Sequence, residues 1–265
     1  MVQLPLEATD DLVPFAPVAR RELPLFGATV ELVLVPARRA RPGRVRAERP
    51  AFSPSPAERI VGEEACWQAD GLALTPNRYP FARDQRILWR TEAAREPDRA
   101  FWRAALRWAR DSGGSVLLNN IGAAATIARA HAHLVGERAA FLADLPERAF
   151  RSAPIDVPDG CELLVKRLPF CLVGARGDID AVAAALLRLA DARMTATWNV
   201  VVAGDTAWVA PRRIETPTPH FPQALGSAEL WGRWCYVDEE PFARATSNDL
   251  ERALLAATMP AIDGA

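Results

Sequence analysis

The sequence predicts an α+β protein, and three observations carry that prediction. Apolar, β-branched runs of strand length recur between turn residues, and Ala- and Leu-rich stretches of helical period interrupt them. The chain also echoes itself faintly: Asn77 to Arg90 and Asn199 to Arg212 each run from an Asn through a strand, past a Trp, to an Arg. With 265 residues, 50% hydrophobic and 25% charged, the chain is long enough to bury a sizeable core as one large domain or two small ones.

Taken in order, strands are expected at about 29–36, 71–75, 86–90, 115–120, 130–135, 162–166, 170–174, 197–203 and 206–211. Helices are expected at about 97–111, with Phe101, Ala105 and Trp108 on one face, at 178–191, capped by Asp178 or Asp180, and at 247–258, starting after Ser247 or Asn248. Pro50 to Pro56 and Pro211 to Pro222 break the pattern, and either loop could cover a site. Pro154, Pro158 and Gly160 place a seam near Asp156 to Gly160, dividing the chain into 1–155 and 156–265 unless one sheet spans both.

Composition narrows the function classes. No run of 18 apolar residues occurs, and Met1 to Glu7 lacks the basic-then-apolar layout of a signal peptide, so no membrane is expected and the expected location is the cytoplasm. Cys66, Cys161, Cys171 and Cys235 form no framework and suit reduced, packed thiols. The basic residues are 31 arginines and one lysine, and net charge is −1. The cluster Arg38, Arg39, Arg41, Arg44, Arg46 and Arg49 lacks interleaved aromatics, which argues against nucleic acid as a partner. It is either a solvated loop or the source of one or two guanidinium forks onto phosphates.

The most informative feature is His131-Ala132-His133, which follows the small-residue turn Gly122 to Ala125. On a strand, residues i and i+2 share a face, so both imidazoles point to one place. An imidazole nitrogen attacks phosphorus at neutral pH, and the phosphoramidate it forms passes its group onward. His133 is the candidate nucleophile, with His131 or a main-chain oxygen orienting it. A pair of hydrogen-bonded core histidines would satisfy the same pattern. A metal site is not expected, because two ligands are too few and neither His220 nor the cysteines stand at ligand spacing.

The stretch Asn120, Gly122, Ala125, His131, His133 resembles the Asn-x-Gly-x-x-Ala-Gly-x-Ser-x-x-His-x-His-x-Gln signature of the histidine-triad superfamily. The similarity is to its branch of galactose-1-phosphate uridylyltransferase, diadenosine tetraphosphate phosphorylase and GDP-hexose phosphorylases. Thr126, Ala128 and Val135 depart from it, standing where Gly, Ser and Gln or His are usual. Asn77-Arg78-Tyr79-Pro80 before Ile87-Leu88-Trp89 is similar to the Asn-Lys-Tyr/Phe-Pro turn and strand of these enzymes. Glu48-Arg49-Pro50, Trp198 to Val202, Trp208 to Arg212 and Gln223 to Trp231 look like further runs of GDP-hexose phosphorylases, the nearest relatives by resemblance.

The resemblance implies a histidine-triad-like fold: an antiparallel sheet with flanking helices, in two similar halves of which only the first keeps the histidines. It implies a nucleotidyltransferase of phosphorylase type without a cofactor, its partners a nucleotide or nucleotide sugar and phosphate. His133 becomes covalently nucleotidylated, His131 supports it, and Asn77, Arg78 and Asn120 hold the nucleotide. Backbone amides of Gly122, Ala123 and their neighbours reach the phosphates, helped by Arg49 and by Lys166, which alternatively is a snorkelling surface lysine. A diadenosine polyphosphate phosphorylase, or a hydrolase in which water replaces phosphate, is the alternative within enzymes. A nucleotide-binding protein with a decayed site, suggested by Ala128 and Val135, is the alternative outside them.

Overall fold

The computed structural model describes residues 3–6, 12–40, 55–138, 140–151, 153, 155–192 and 194–261, so Arg41, Arg44, Arg46 and Arg49 lie outside the described residues. In chain order the elements are β1 (Ala19–Leu25), β2 (Ala28–Leu34), a 3-10 turn (Pro36–Ala40), α1 (Ser55–Glu64), β3 (Trp67–Ala69), β4 (Leu72–Pro76) and β5 (Arg86–Arg90). There follow α2 (Arg99–Ser112), β6 (Ser115–Asn119), β7 (His131–Val135), α3 (Ala140–Asp144), β8 (Glu147–Ala149), β9 (Cys161–Lys166) and β10 (Val173–Gly177). The chain ends with α4 (Ile179–Asp191), β11 (Trp198–Ala203), β12 (Thr206–Pro211), α5 (Ser227–Trp231), β13 (Arg233–Tyr236), α6 (Glu239–Arg244) and α7 (Ser247–Ala257).

Every strand expected from the sequence is present, one of them displaced. The run near 170 forms a strand only from Val173, because Phe170 and Cys171 are bound to the C-terminal segment, the Cys171 N–H donating to Met259 O at 2.8 Å. All three expected helices form, and their caps explain their starts. Asp98 accepts the Phe101 N–H at 2.8 Å and Asp178, not Asp180, accepts the Ala181 N–H at 2.9 Å. Thr246 rather than Ser247 opens α7 in a capping box with Asp249.

Ten strands form one continuous sheet in the order β3-β4-β5-β7-β6-β11-β12-β10-β9-β8, all neighbours antiparallel. Its strands read as unbroken apolar runs because both faces are covered. On one face α2 and α4 pack Phe101, Trp102, Trp108, Leu186 and Leu189 against Val116, Leu118, Ala132, Leu134, Val200 and Val202. On the other, a small sheet β1-β2-β13 with α3, α5, α6 and α7 covers Leu117, Val135, Val201, Trp208 and Ala210.

Read from either edge to the centre, the strand order is the same, β3-β4-β5-β7-β6 against β8-β9-β10-β12-β11. In this match β12 stands where β7 does. Trp208 lies between Gly174 and Val201 as His133 lies between Ile87 and Leu117. The segment Asn199 to Arg212 therefore matches β6 and β7 rather than Asn77 to Arg90. The sequence spacing hides this because loop 120–130 joins β6 to β7, whereas Gly204 and Asp205 alone join β11 to β12.

Arg233 on β13 clamps the two sheets together. Its buried guanidinium donates to Glu31 Oε2 and Glu137 Oε2, both at 2.8 Å, and to Phe81 O at 3.1 Å. Burial alone would raise the Glu137 carboxyl, but hydrogen bonds from Arg233 and the Arg83 amide outweigh it and hold the group below the usual glutamate range. A depressed carboxyl stabilises the fold above its unfolded pKa, and that contribution is lost as pH falls through the lower folded value. Arg233→Met leaves two carboxylates facing a buried gap and is expected to cost about 3 kcal/mol in urea unfolding at pH 7. The difference between Glu137→Gln and the unaltered protein is expected to shrink as pH drops below about 4, and a difference constant from pH 7 to 3 would contradict the clamp.

Candidate active site

Both histidines sit on β7, a strand paired on both edges. Ile87 lies beside His133 and Trp89 beside His131 on β5, and Leu117 lies beside His133 on β6. Both rings face away from α2 and α4 and line a cleft of about 710 Å³, a size that suits a nucleotide-scale ligand. His131 stacks on Trp89 with centroids 4.7 Å apart, and the Trp89 Nε1–H donates to Thr75 Oγ1 at 2.9 Å. His133 meets Phe81 edge to face at 5.3 Å and His131 at 5.9 Å. Both are nearly buried, at 6% and 8% exposure. They are anchored through Nδ1: that of His131 lies 2.7 Å from Arg129 O, that of His133 2.9 Å from Gln85 Nε2.

Besides the motif turn and residues 235–241, four segments supply the walls. The β4–β5 turn supplies Asn77, Arg78, Tyr79 and Phe81; α1 supplies Pro56, Arg59, Ile60 and Glu64; the 3-10 turn supplies Arg38 and Arg39; and Thr216 to Glu229 supply the far side. Asn77 Oδ1 accepts the Tyr79 N–H at 3.0 Å, which shapes the turn. Exposed ion pairs hold the rim arginines, Arg78 to Glu64 at 3.0 Å and Arg39 to Asp238 at 2.6 Å. Such pairs contribute little, so a phosphate can displace their carboxylates.

The motif turn serves a different purpose from the one expected. Ala123 and Ala125 N–H donate to Asn120 O at 2.9 and 3.3 Å, and Ala124 N–H donates to Glu215 Oε1 at 2.7 Å. These amides are committed to the protein, so the expected amide cradle is not formed by Ala123 to Ala125. Gly122 has φ +87°, and a Cβ there would lie 2.5 Å from Thr197 Cγ2, so its need for glycine is one of turn shape and packing. Asn120, Gly122 and Ala123 are absent from the cleft lining, whereas Asn119, Ala124, Thr126 and Ile127 belong to it.

Lys166 is placed elsewhere. Its Nζ donates to Leu145 O at 2.8 Å and Glu147 Oε2 at 3.0 Å and lies 4.6 Å from the centre of the Trp208 ring. Five strand spacings of about 4.8 Å separate β9 from β7, so Lys166 cannot reach a phosphate at the histidines. It is a buried structural cation, not a snorkelling one. Val135 is fully buried in the core beneath the small sheet and does not line the cleft.

Several site residues went unread in the sequence. Gln85 and Asn119 are single polar residues without a periodic signal. Buried Arg212 donates to Asn199 Oδ1, to Leu225 O at 2.7 Å, to Ala257 O at 2.9 Å and to Ile214 O at 3.0 Å. Asn199 in turn donates to Asn119 Oδ1 and Ala123 O, both at 2.8 Å. Burial lowers Arg212 to about 10, so it stays charged at neutral pH. Glu229 lines the cleft and accepts the Gly226 N–H at 2.7 Å, and burial pushes its carboxyl up to about 7. Among the described residues no cluster of metal-ligating side chains occurs, and no helix is long and apolar enough to cross a membrane.

Neither a family model nor a curated relative matches the sequence. Among solved structures, yeast Ap4A phosphorylase Apa2 in complex with Ap4A superposes with a TM-score of 0.70 at 14% identity, covering 95% of this chain and 93% of that one. Apa2 in complex with AMP gives 0.70 at 15% identity, covering 93% and 89%. The chain has the histidine-triad-like fold. An ADP-glucose phosphorylase from Arabidopsis thaliana with bound ADP-glucose is a more distant neighbour, with a TM-score of 0.42 at 9% identity over 89% and 98% of the chains. At these identities the likeness is one of fold, and chemistry is argued from the site itself.

Glu229 gives a pH signature. A carboxyl raised in the folded state holds a proton that the unfolded chain releases, so its contribution to stability is present below about 4.5 and lost as pH rises through about 7. Glu229→Gln removes that loss. Its stability relative to the unaltered protein is expected to improve by about 2–3 kcal/mol between pH 5 and 8 in denaturant titrations, and a pH-independent difference would contradict the assignment.

Proposed function

We propose that the protein is a nucleotidyltransferase of phosphorylase type, acting through a covalent nucleotidyl-His133. The observation that carries this reading is the placement of two anchored imidazoles on the floor of one nucleotide-sized cleft with arginines at its rim. His133 attacks the α-phosphorus of a nucleotide sugar. A nitrogen–phosphorus bond forms, the bond from the α-phosphorus to the bridging oxygen breaks, and the sugar 1-phosphate leaves with the electron pair. Phosphate then attacks the same phosphorus, the nitrogen–phosphorus bond breaks, and a nucleoside diphosphate departs. Charge spread over the phosphoryl oxygens is met by Arg38, Arg39 and Arg78, and alignment supplies the remainder of the rate.

The donor is taken to be GDP-hexose-like, from the runs shared with GDP-hexose phosphorylases. A dinucleoside polyphosphate donor is the second reading, favoured by the fold likeness to Ap4A phosphorylase. In both, residues 1–155 form the catalytic half and 156–265 a similar half without the His-x-His pair, a division that the matched strand order supports except at β8, which groups with the second half, and that Trp208 at the position matching His133 also supports. At that position in the second half Trp208 is buried beneath the Lys166 Nζ.

The test is phosphate-dependent turnover of GDP-hexoses, ADP-glucose and Ap4A followed by chromatography. The expected outcome is nucleoside diphosphate from one of these donors only when phosphate is present, with His133→Ala slowing release about a thousandfold or more at little cost to nucleotide binding. Release of a mononucleotide without phosphate would point to a hydrolase. Nucleotide binding without turnover would overturn the enzyme reading in favour of a binding protein.

A further inference from the structure

Gln85 is 1% exposed and stands between the β4–β5 turn and His133. Its Oε1 accepts the Phe81 N–H at 2.8 Å, and its Nε2 lies 2.9 Å from His133 Nδ1. A main-chain N–H only donates, so turning the amide over would set two donors face to face. The nitrogen end therefore faces the imidazole, and because an amide NH₂ also only donates, Nδ1 is the accepting nitrogen. In the neutral ring the proton then sits on Nε2. His131 is set the other way. Its Nδ1 lies 2.7 Å from Arg129 O, a carbonyl only accepts, and so Nδ1 carries the proton while Nε2 carries the lone pair.

We infer that Gln85 is a positioning residue that fixes the tautomer of His133, holding the resting ring with its proton on Nε2 and thus opposite to His131. The tautomer itself follows from the hydrogen bonds alone; its consequence for the reaction rests on the reading of His133 as nucleophile. Attack needs a lone pair on the nitrogen that meets phosphorus. Nδ1 is engaged by Gln85, so the bond forms at Nε2, and only after the ring proton moves from Nε2 to Nδ1. That move requires Gln85 to present Oε1 to the ring and to give up the Phe81 N–H. The resting ring is a hydrogen-bond donor suited to a phosphate oxygen, and Gln85 restrains its conversion to the attacking form. Glutamate at this position would accept both the Phe81 N–H and a His133 Nδ1–H, removing the restraint with no change of shape.

The experiment is nitrogen-15 correlation spectroscopy of the histidine rings in the full chain at neutral pH, with His133→Ala and His131→Ala for assignment and with Gln85→Glu and Gln85→Leu compared. The expected result is a bare Nδ1 and protonated Nε2 for His133 and the reverse for His131. Gln85→Glu then reverses His133 alone, and Gln85→Leu gives His133 averaged signals. The unchanged His131 signals report an intact fold in each variant. A His133 proton on Nδ1 in the unaltered protein, or a His133 pattern that ignores both substitutions, would overturn the inference. With a donor present, Gln85→Glu is expected to form the nucleotidyl adduct about tenfold faster than the unaltered protein. No adduct in any variant, with the tautomer pattern intact, would count against the transferase reading and leave the positioning role standing.

Discussion

A strand hydrogen-bonded along both edges has only its two faces left to offer, and β7 is such a strand, held between β5 and β6. Its period of two sends Ala132 and Leu134 into the core beneath the helices and His131, His133 and Val135 to the opposite face. That opposite face is core elsewhere. Cover by the small sheet reaches Leu117 and Val135, and the cleft begins at Asn119 and His133. The site is thus a place where an otherwise complete layer stops. Two rings on a rigid, doubly paired strand need only short-range partners to be oriented, and Gln85, Arg129, Trp89 and Phe81 are those partners.

The walls are fixed by buried polar groups that satisfy main-chain atoms. Arg212, Asn199 and Asn119 form a chain of hydrogen bonds from the end of α7 to the motif turn and to the Ser227 N–H, and Glu215 takes the Ala124 N–H. Removing any one partner leaves a desolvated donor or acceptor, which is why this network resists rearrangement. The motif turn is therefore a shaped wall, and the positive charge lining the cleft comes from the arginine rim.

Nine of the thirteen described strands, the helices α2, α4 and α7, and the histidine face were legible in the sequence, since they depend on local period and caps. Phe101, Ala105 and Trp108 share a buried face, and the strand 206–211 is found with its expected bounds. Apart from α1, which begins within the Pro-rich run read as a break, what escaped depends on long-range pairing or is too short to show a period. β1 alternates Arg20, Glu22 and Pro24 with half-buried partners and becomes a strand only against β2, while α5 and α6 are too short to show a period. Within the site, His131, His133, Asn77 and Arg78 share one cleft. Lys166 does not join them, because its chemistry is answered by Glu147 and Trp208, and Asn119 rather than Asn120 faces the cleft because β6 pairs Asn119 with Asn199. Gln85 carried no signal, since a lone glutamine in a turn acquires meaning only when a histidine from another strand is set against it.

Covalent transfer through His133 is the central claim, and intact-protein mass measurement after incubation with nucleotide sugars and dinucleoside polyphosphates in the absence of phosphate tests it most directly. The account predicts a mass increase of one nucleotidyl group on the unaltered protein, none on His133→Ala, and its discharge when phosphate is added. An adduct that persists in His133→Ala, or none from any donor that demonstrably binds, would contradict it.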